Sequence, residues 1–150
     1  MSLENKKILL VIGGGISAYK SLDLIRLLQK KGSSVKVVLT KSGKKFVTSL
    51  SVSSLSKNRV FEEMFDEKNK GKIDHISLSR WADLILVLPA TANFISKLSK
   101  GAADDLASTI ILASNKEIFL VPAMNVRMWL HKATQKNLNT LVSYGYKFIG

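Results

Sequence analysis

The chain has 150 residues, enough for one domain, and its 46% apolar and 23% charged content excludes an intrinsically disordered tail. Lysine and arginine number 23 against 11 acids, a formal charge of +12, and the absence of cysteine removes disulfides, thiolate metal sites and a cysteine nucleophile from this chain. The first apolar run, Ile8–Ile12, is too short for a signal-peptide core, and no stretch approaches the ~18 apolar residues of a membrane span, so a cytoplasmic location away from membranes is expected.

Ile8–Ile12 and Val35–Leu39 are continuous apolar runs, as strands covered on both faces of a parallel sheet should be. Between them Leu22, Ile25 and Leu28, with Tyr19, Leu24 and Leu27, recur at helical spacing until Gly32 stops the run, completing a β–α–β unit. Lys44–Leu50 and Val52–Leu55 read as two helical pieces broken by serines. Val60–Lys72 is charged and weakly patterned, which predicts a short strand and an exposed loop. Leu84–Leu88 and Ile118–Val121 are the next two strands. Ala92–Leu98, Ala103–Leu112 and Arg127–Tyr144 read as helices, and Lys147–Ile149 begins a fifth strand. This alternation predicts an α/β fold: one three-layer domain over residues 1–150, with an open, mostly parallel sheet of the flavodoxin or Rossmann kind. A strand that starts so near Gly150 leads to the expectation that the domain is truncated at its C-terminus.

In such sheets the ligand lies beyond the carboxyl ends of the strands, here the segments GGGISAYK, TKSG, PATAN and PAMNVRMW. Gly13–Ala18 follows a strand and opens a helix, so its amides can cradle a phosphate; a plain connecting turn is the alternative. Ala18 completes a dinucleotide fingerprint, yet the second strand ends Val38-Leu39-Thr40-Lys41 without the acid that would hold a ribose. Tyr19 stands where a nucleoside triphosphate loop needs glycine before Lys20. A mononucleotide such as FMN suits the hydroxyls of Ser17, Thr40 and Thr91 and the amide of Asn93. Asp104 and Asp105 are adjacent, hence divergent on a helix, and read as cap and dipole partners rather than metal ligands. The lysines are scattered without interleaved aromatics, which favours a solvated surface over a nucleic-acid interface.

The motifs GGISAYK, DHISLSRWAD, LPATANFISKL, KGAADDLASTIILA and VPAMNVRMW resemble the flavin-dependent cysteine decarboxylases, in particular the phosphopantothenoylcysteine decarboxylases of coenzyme A biosynthesis. The resemblance spans nearly the whole chain. It implies FMN, a phosphorylated small-molecule substrate, and oxidation of the cysteinyl thiol so that carbon dioxide leaves on the way to 4'-phosphopantetheine. It also implies His75 as the catalytic histidine and Asn125 as the group that holds the substrate carboxylate. An uncharged amide suits that task, because a lysine would stabilise a charge that the reaction must discharge. A lone histidine otherwise reads as a satisfied side chain, and Asn125 also reads as a helix N-cap. Cofactor contacts are expected from Gly14, Gly15, Ile16, Ser17, Thr40, Ala90, Thr91, Asn93, Ser108 and Met124, and a substrate wall from Met128. His131, within a lysine-rich helix, reads as surface. The resemblance further implies a homotrimer or homododecamer and a synthetase, fused or separate. Relatives that finish the reduction carry a flap cysteine that this sequence lacks. A peptidyl-cysteine decarboxylase, a flavin prenyltransferase and a non-catalytic regulatory flavoprotein are the competing readings.

Overall fold

The computed structural model describes residues 2–62 and 71–150. Among these, five strands, β1 (Lys7–Ile12), β2 (Ser34–Leu39), β3 (Leu84–Ala90), β4 (Glu117–Pro122) and β5 (Lys147–Phe148), form one parallel sheet in the order β2-β1-β3-β4-β5. That is the order of flavodoxin-like doubly wound sheets. Ile8 pairs with Val35 and Leu84, and Ile12 pairs with Leu39 and Leu88. The carboxyl ends of β2, β1 and β3 are therefore level, which brings the loops that follow them to one rim.

The runs are continuous because the sheet has a core on each side. Leu9, Val11, Ile85, Val87, Ile118 and Leu120 join one cluster, and Ile8, Leu10, Ile12, Val35, Val37 and Leu39 join the other. Each such side chain contributes about 1.5–3 kcal/mol of burial free energy. The first cluster is closed by α3 (Gly71–Trp81), α4 (Ala92–Ser99), α5 (Leu106–Ala113) and α7 (Lys132–Ser143) through Leu78, Ile95, Ile110 and Leu141. The second is closed by α1 (Lys20–Lys30) and α2 (Ser49–Ser56) through Ile25, Leu28 and Val52. No helix among the described residues is long and apolar enough to cross a membrane.

Several boundaries differ from the sequence expectation. The first helix opens with a 3-10 turn at Ile16–Tyr19 before α1, and Gly32 ends it at φ 93°, a conformation that favours glycine. The serines do not break α2. Thr48 caps it by accepting from the Ser51 amide at 3.0 Å, Val52 is fully buried, and Ser53 bonds back to the Leu50 carbonyl, so packing and capping outweigh serine's weak helix preference. Only a 3-10 turn at Gly43–Lys45 precedes it. In the segment read as a short strand and loop, Phe61 bridges Val38 of β2, residues 63–70 lie outside the described residues, and α3 begins at Gly71. The helix expected from Ala103 begins at Leu106, because Asp105 caps it.

The helix expected over Arg127–Tyr144 is two, α6 (Val126–Leu130) and α7. His131 takes an extended conformation between them, and its Nδ1 accepts from the Ala133 amide at 3.0 Å. It is an exposed N-cap rather than a residue within a helix.

Candidate functional site

The rim begins with three glycines that bring backbones together. A Cβ on Gly13 would lie 2.2 Å from the Pro89 carbonyl oxygen, and one on Gly14 would lie 2.3 Å from the Ser42 Cβ. No other residue permits this approach, and it leaves the loops after β1, β2 and β3 packed around one cavity of about 440 Å³. Gly14, Gly15, Thr40, Thr91, Asn93, Met124 and Met128, all expected at the site, line it.

Their polar atoms are not equally available. Thr40 Oγ1 donates to the Ile12 carbonyl at 2.9 Å and accepts from the Gly43 amide at 3.0 Å, so its proton is spent on closing its own loop. Thr91 caps α4 by accepting from the Phe94 amide at 3.2 Å and keeps its O–H to donate. Ser17 is different. Its hydroxyl is buried and has no partner among the described residues, an arrangement that costs free energy unless a ligand completes it.

Ser17 nonetheless lies outside the cavity lining, as do His75 and Asn125, and three further expected contacts also sit elsewhere. Ile16 is 80% exposed and lies outside the cavity lining. Ala90 is fully buried at the end of β3, where its carbonyl accepts from the Ala123 amide at 3.1 Å and ties β3 to β4. Ser108 is fully buried in a capping box: its amide donates to Asp105 Oδ1 at 2.8 Å and its hydroxyl to the same oxygen at 2.6 Å. The Asp105 carboxylate therefore occupies the group expected to meet the cofactor.

His75 lies on α3, which packs on α5. It is half-buried, and its Nδ1 is shielded from solvent with no partner among the described residues. Asn125 is exposed at the start of α6. Its Oδ1 accepts from the Met128 amide at 2.9 Å as an N-cap, and its NH₂ makes no bond among the described residues. Capping and ligand binding therefore use opposite ends of one amide.

Lys41, Ser42 and Ala123, within the segments expected at the rim but not singled out, also line the cavity, as do Phe94, Lys97 and Asp105, which reading the sequence missed. Lys97 Nζ lies 2.7 Å from Asp104 Oδ1 and 3.0 Å from Asp105 Oδ2. Burial pushes the Lys97 ammonium pKa down, but the two carboxylates outweigh it and hold it above the ordinary lysine value. Burial pushes Asp105 up, while the bonds from Ser108 and Lys97 outweigh this and keep it below the ordinary carboxylate value. The PATANFISK and ADDL segments carried the signal, but the eight-residue separation of Lys97 and Asp105 and a turn at Gly101 hid their meeting. Among the described residues no three His, Asp or Glu side chains gather as a metal site would require. The cavity instead offers amides and the Thr91 hydroxyl for an anion, and Phe94, Met124 and Met128 as walls for a flat apolar body.

A family model described as Flavoprotein matches residues 1–150. The chain is 47% identical over its whole length to the coenzyme A biosynthesis bifunctional protein CoaBC of Haemophilus influenzae, of which it covers 38%. It spans little more than a third of the curated relatives it matches. Among solved structures, the FMN-dependent cysteine decarboxylase SpaF superposes with a TM-score of 0.90 at 27% identity, covering 98% of this chain and 85% of that one. A PPC decarboxylase mutant complexed with pantothenoylaminoethenethiol superposes with a TM-score of 0.82 at 29% identity, covering 97% and 82%.

Proposed function

The chain belongs to the Flavoprotein family, and from that premise we propose that it binds FMN and decarboxylates 4'-phosphopantothenoylcysteine in coenzyme A biosynthesis, in the cytoplasm. The observation that carries this reading is the 440 Å³ cavity, which joins a glycine cradle to apolar walls at the carboxyl rim of the sheet. The buried Ser17 hydroxyl, which follows that cradle and has no partner among the described residues, matches a phosphate-bearing ligand.

When bound, FMN supplies the two-electron oxidation of the substrate thiol, and the protein supplies position and proton transfer. The amides of Gly14 and Gly15 and the Ser17 hydroxyl would hold the cofactor phosphate. Phe94, Met124 and Met128 exclude water from the reacting end. The NH₂ of Asn125 donates to the substrate carboxylate without adding a charge, so its grip is not lost energy when the carboxylate leaves as carbon dioxide. His75 would take the thiol proton; its Nδ1 has no partner among the described residues.

The exposed apolar side chains Ile16 (80%), Val126 (71%) and Leu130 (68%) support self-association, and the family resemblance suggests a homotrimer or homododecamer. The substrate is supplied by a synthetase, fused or separate.

The test is a visible spectrum of the purified protein with release and identification of its flavin, followed by the His75→Asn variant. FMN should remain bound in that variant while carbon dioxide release falls by about 10²–10⁴-fold. A wild-type protein that takes up no FMN refutes the cofactor assignment. Unchanged turnover in the variant refutes the role of His75.

A further inference from the structure

Resting on the flavin reading above, we propose that Lys97 is a positioning residue that sets the charge of the cofactor cavity, holding Asp104 and Asp105 as ion pairs so that the cavity accepts the reduced, electron-rich flavin ring. Lys97 projects from α4 with its side chain only 21% exposed, and its ammonium bridges Asp104 at 2.7 Å and Asp105 at 3.0 Å. Lys97 and Asp105 line the 440 Å³ cavity, and together with Asp104 they also line an adjacent cavity of about 230 Å³. The three charges thus stand in the wall between two spaces. One ammonium against two carboxylates leaves a single net negative charge there; without Lys97 there would be two. The ammonium has three donors, and its two acidic partners take two of them.

Lys97 also stands at the right distance from the cradle. Thr91 Cγ2 lies 3.9 Å from where a Gly15 Cβ would be, so Thr91 abuts the glycines. Lys97 follows six residues later, about 9 Å along α4. Phe94, whose ring centroid is 5.8 Å from the ammonium, lies between them and contributes to the apolar wall. The charge therefore borders the part of the cavity suited to the ring rather than the part suited to the phosphate. Reduction of FMN by two electrons with uptake of one proton at N5 leaves the ring one unit more negative, around N1 and the C2 carbonyl. The Lys97 ammonium offsets one of the two carboxylates beside the ring, so removing it disfavours the reduced form more than the oxidised one. The other cation on both cavities, Lys41, is exposed. In the smaller cavity Glu62 pairs with Lys44 at 2.9 Å, so it leaves Lys97 to the two aspartates.

The experiment measures the dissociation constant of oxidised FMN and, anaerobically, of FMN reduced with dithionite, for the wild type, Lys97→Gln, Lys97→Arg and Asp105→Asn. Lys97→Gln should weaken reduced FMN about tenfold more than oxidised FMN, and Lys97→Arg should preserve the wild-type ratio. Asp105→Asn keeps a capping side chain and removes a negative charge, so it should shift the ratio the opposite way. Equal weakening of both oxidation states in Lys97→Gln would make Lys97 a structural strut and overturn the proposal. So would Asp105→Asn shifting the ratio in the same direction as Lys97→Gln. Should Lys97→Gln not fold, the arginine and asparagine variants still decide the sign. A wild type that binds neither form would instead remove the flavin reading on which this proposal rests.

Discussion

Replacing Gly13 with alanine puts a methyl group 2.2 Å from the Pro89 carbonyl oxygen. A carbon and an oxygen rest at about 3.3 Å or more, so roughly 1 Å must open between the ends of β1 and β3. Neither side of the contact is a flexible side chain. Ile12 is paired with Leu88, and the Gly13 amide donates to the Leu88 carbonyl at 3.2 Å, so the opening strains that bond and the buried Ile12 behind it. Overpacking costs about 1–3 kcal/mol and a weakened hydrogen bond about 1 more, a large part of the ~5–15 kcal/mol that holds a domain folded. A urea titration should show the midpoint falling by about 1 M or more, given a slope of about 1–3 kcal/mol/M. FMN affinity should fall about tenfold or more, because the cradle itself has moved. Gly101→Ala is the control. Gly101 sits at φ 71° with nothing within 4 Å, so alanine there costs only backbone strain of about 1–2 kcal/mol and leaves FMN affinity unchanged. Wild-type stability and flavin affinity in Gly13→Ala, or a greater loss in Gly101→Ala, would refute the steric argument.

Asn125→Asp keeps a good N-cap for α6, so its thermal midpoint should match the wild type, while the added negative charge repels the substrate carboxylate and raises KM at least tenfold. Asn125→Ala should lose both functions, with about 0.5–2 kcal/mol of stability gone in a urea melt. Asp105 has a folded-state pKa below its unfolded value, so its stabilisation is complete above about pH 4 and is lost as pH falls through the depressed folded value. Urea midpoints measured down that acid limb should drop less steeply in Asp105→Asn. For Lys97, whose folded pKa is raised, the contribution is complete below about pH 10 and disappears as pH climbs through the raised value. Lys97→Gln should flatten that alkaline limb. Ile110→Ala, at a fully buried position of α5, should cost about 2–5 kcal/mol in the same melt.

The strand positions were legible in Ile8–Ile12, Val35–Leu39, Leu84–Leu88 and Ile118–Val121, because a strand buried on both faces leaves an unbroken apolar run. The glycine cradle was legible for a similar reason: close approach of two backbones demands residues without a Cβ, and Gly13 and Gly14 meet Pro89 and Ser42 at distances no side chain tolerates. Asn125 was legible as a cap because a capping amide acts on an amide three residues away. All of these are properties of short windows, where periodicity, sterics and local hydrogen bonding act directly.

Other features needed the folded chain. The break at His131 falls between two segments that both look helical, and only the ring's bond to Ala133 and the packing of α7 on α4 place it. Ser108 carries a hydroxyl suited to phosphate, yet Asp105 occupies it inside the core. Ser17 and Thr40 are chemically alike in sequence, but one hydroxyl has no partner among the described residues while the other closes a turn onto β1. Lys97 and its two aspartates meet across the turn between α4 and α5. Sequence by itself determined the four long strands and the tight turns, because those depend on neighbours within a few residues, whereas α3 and the split of α6 from α7 were not legible there. Tertiary structure decided which polar atoms remain free at the rim, because a hydrogen-bonding group is claimed by whatever packing brings within 3 Å, and that choice is made between residues distant along the chain.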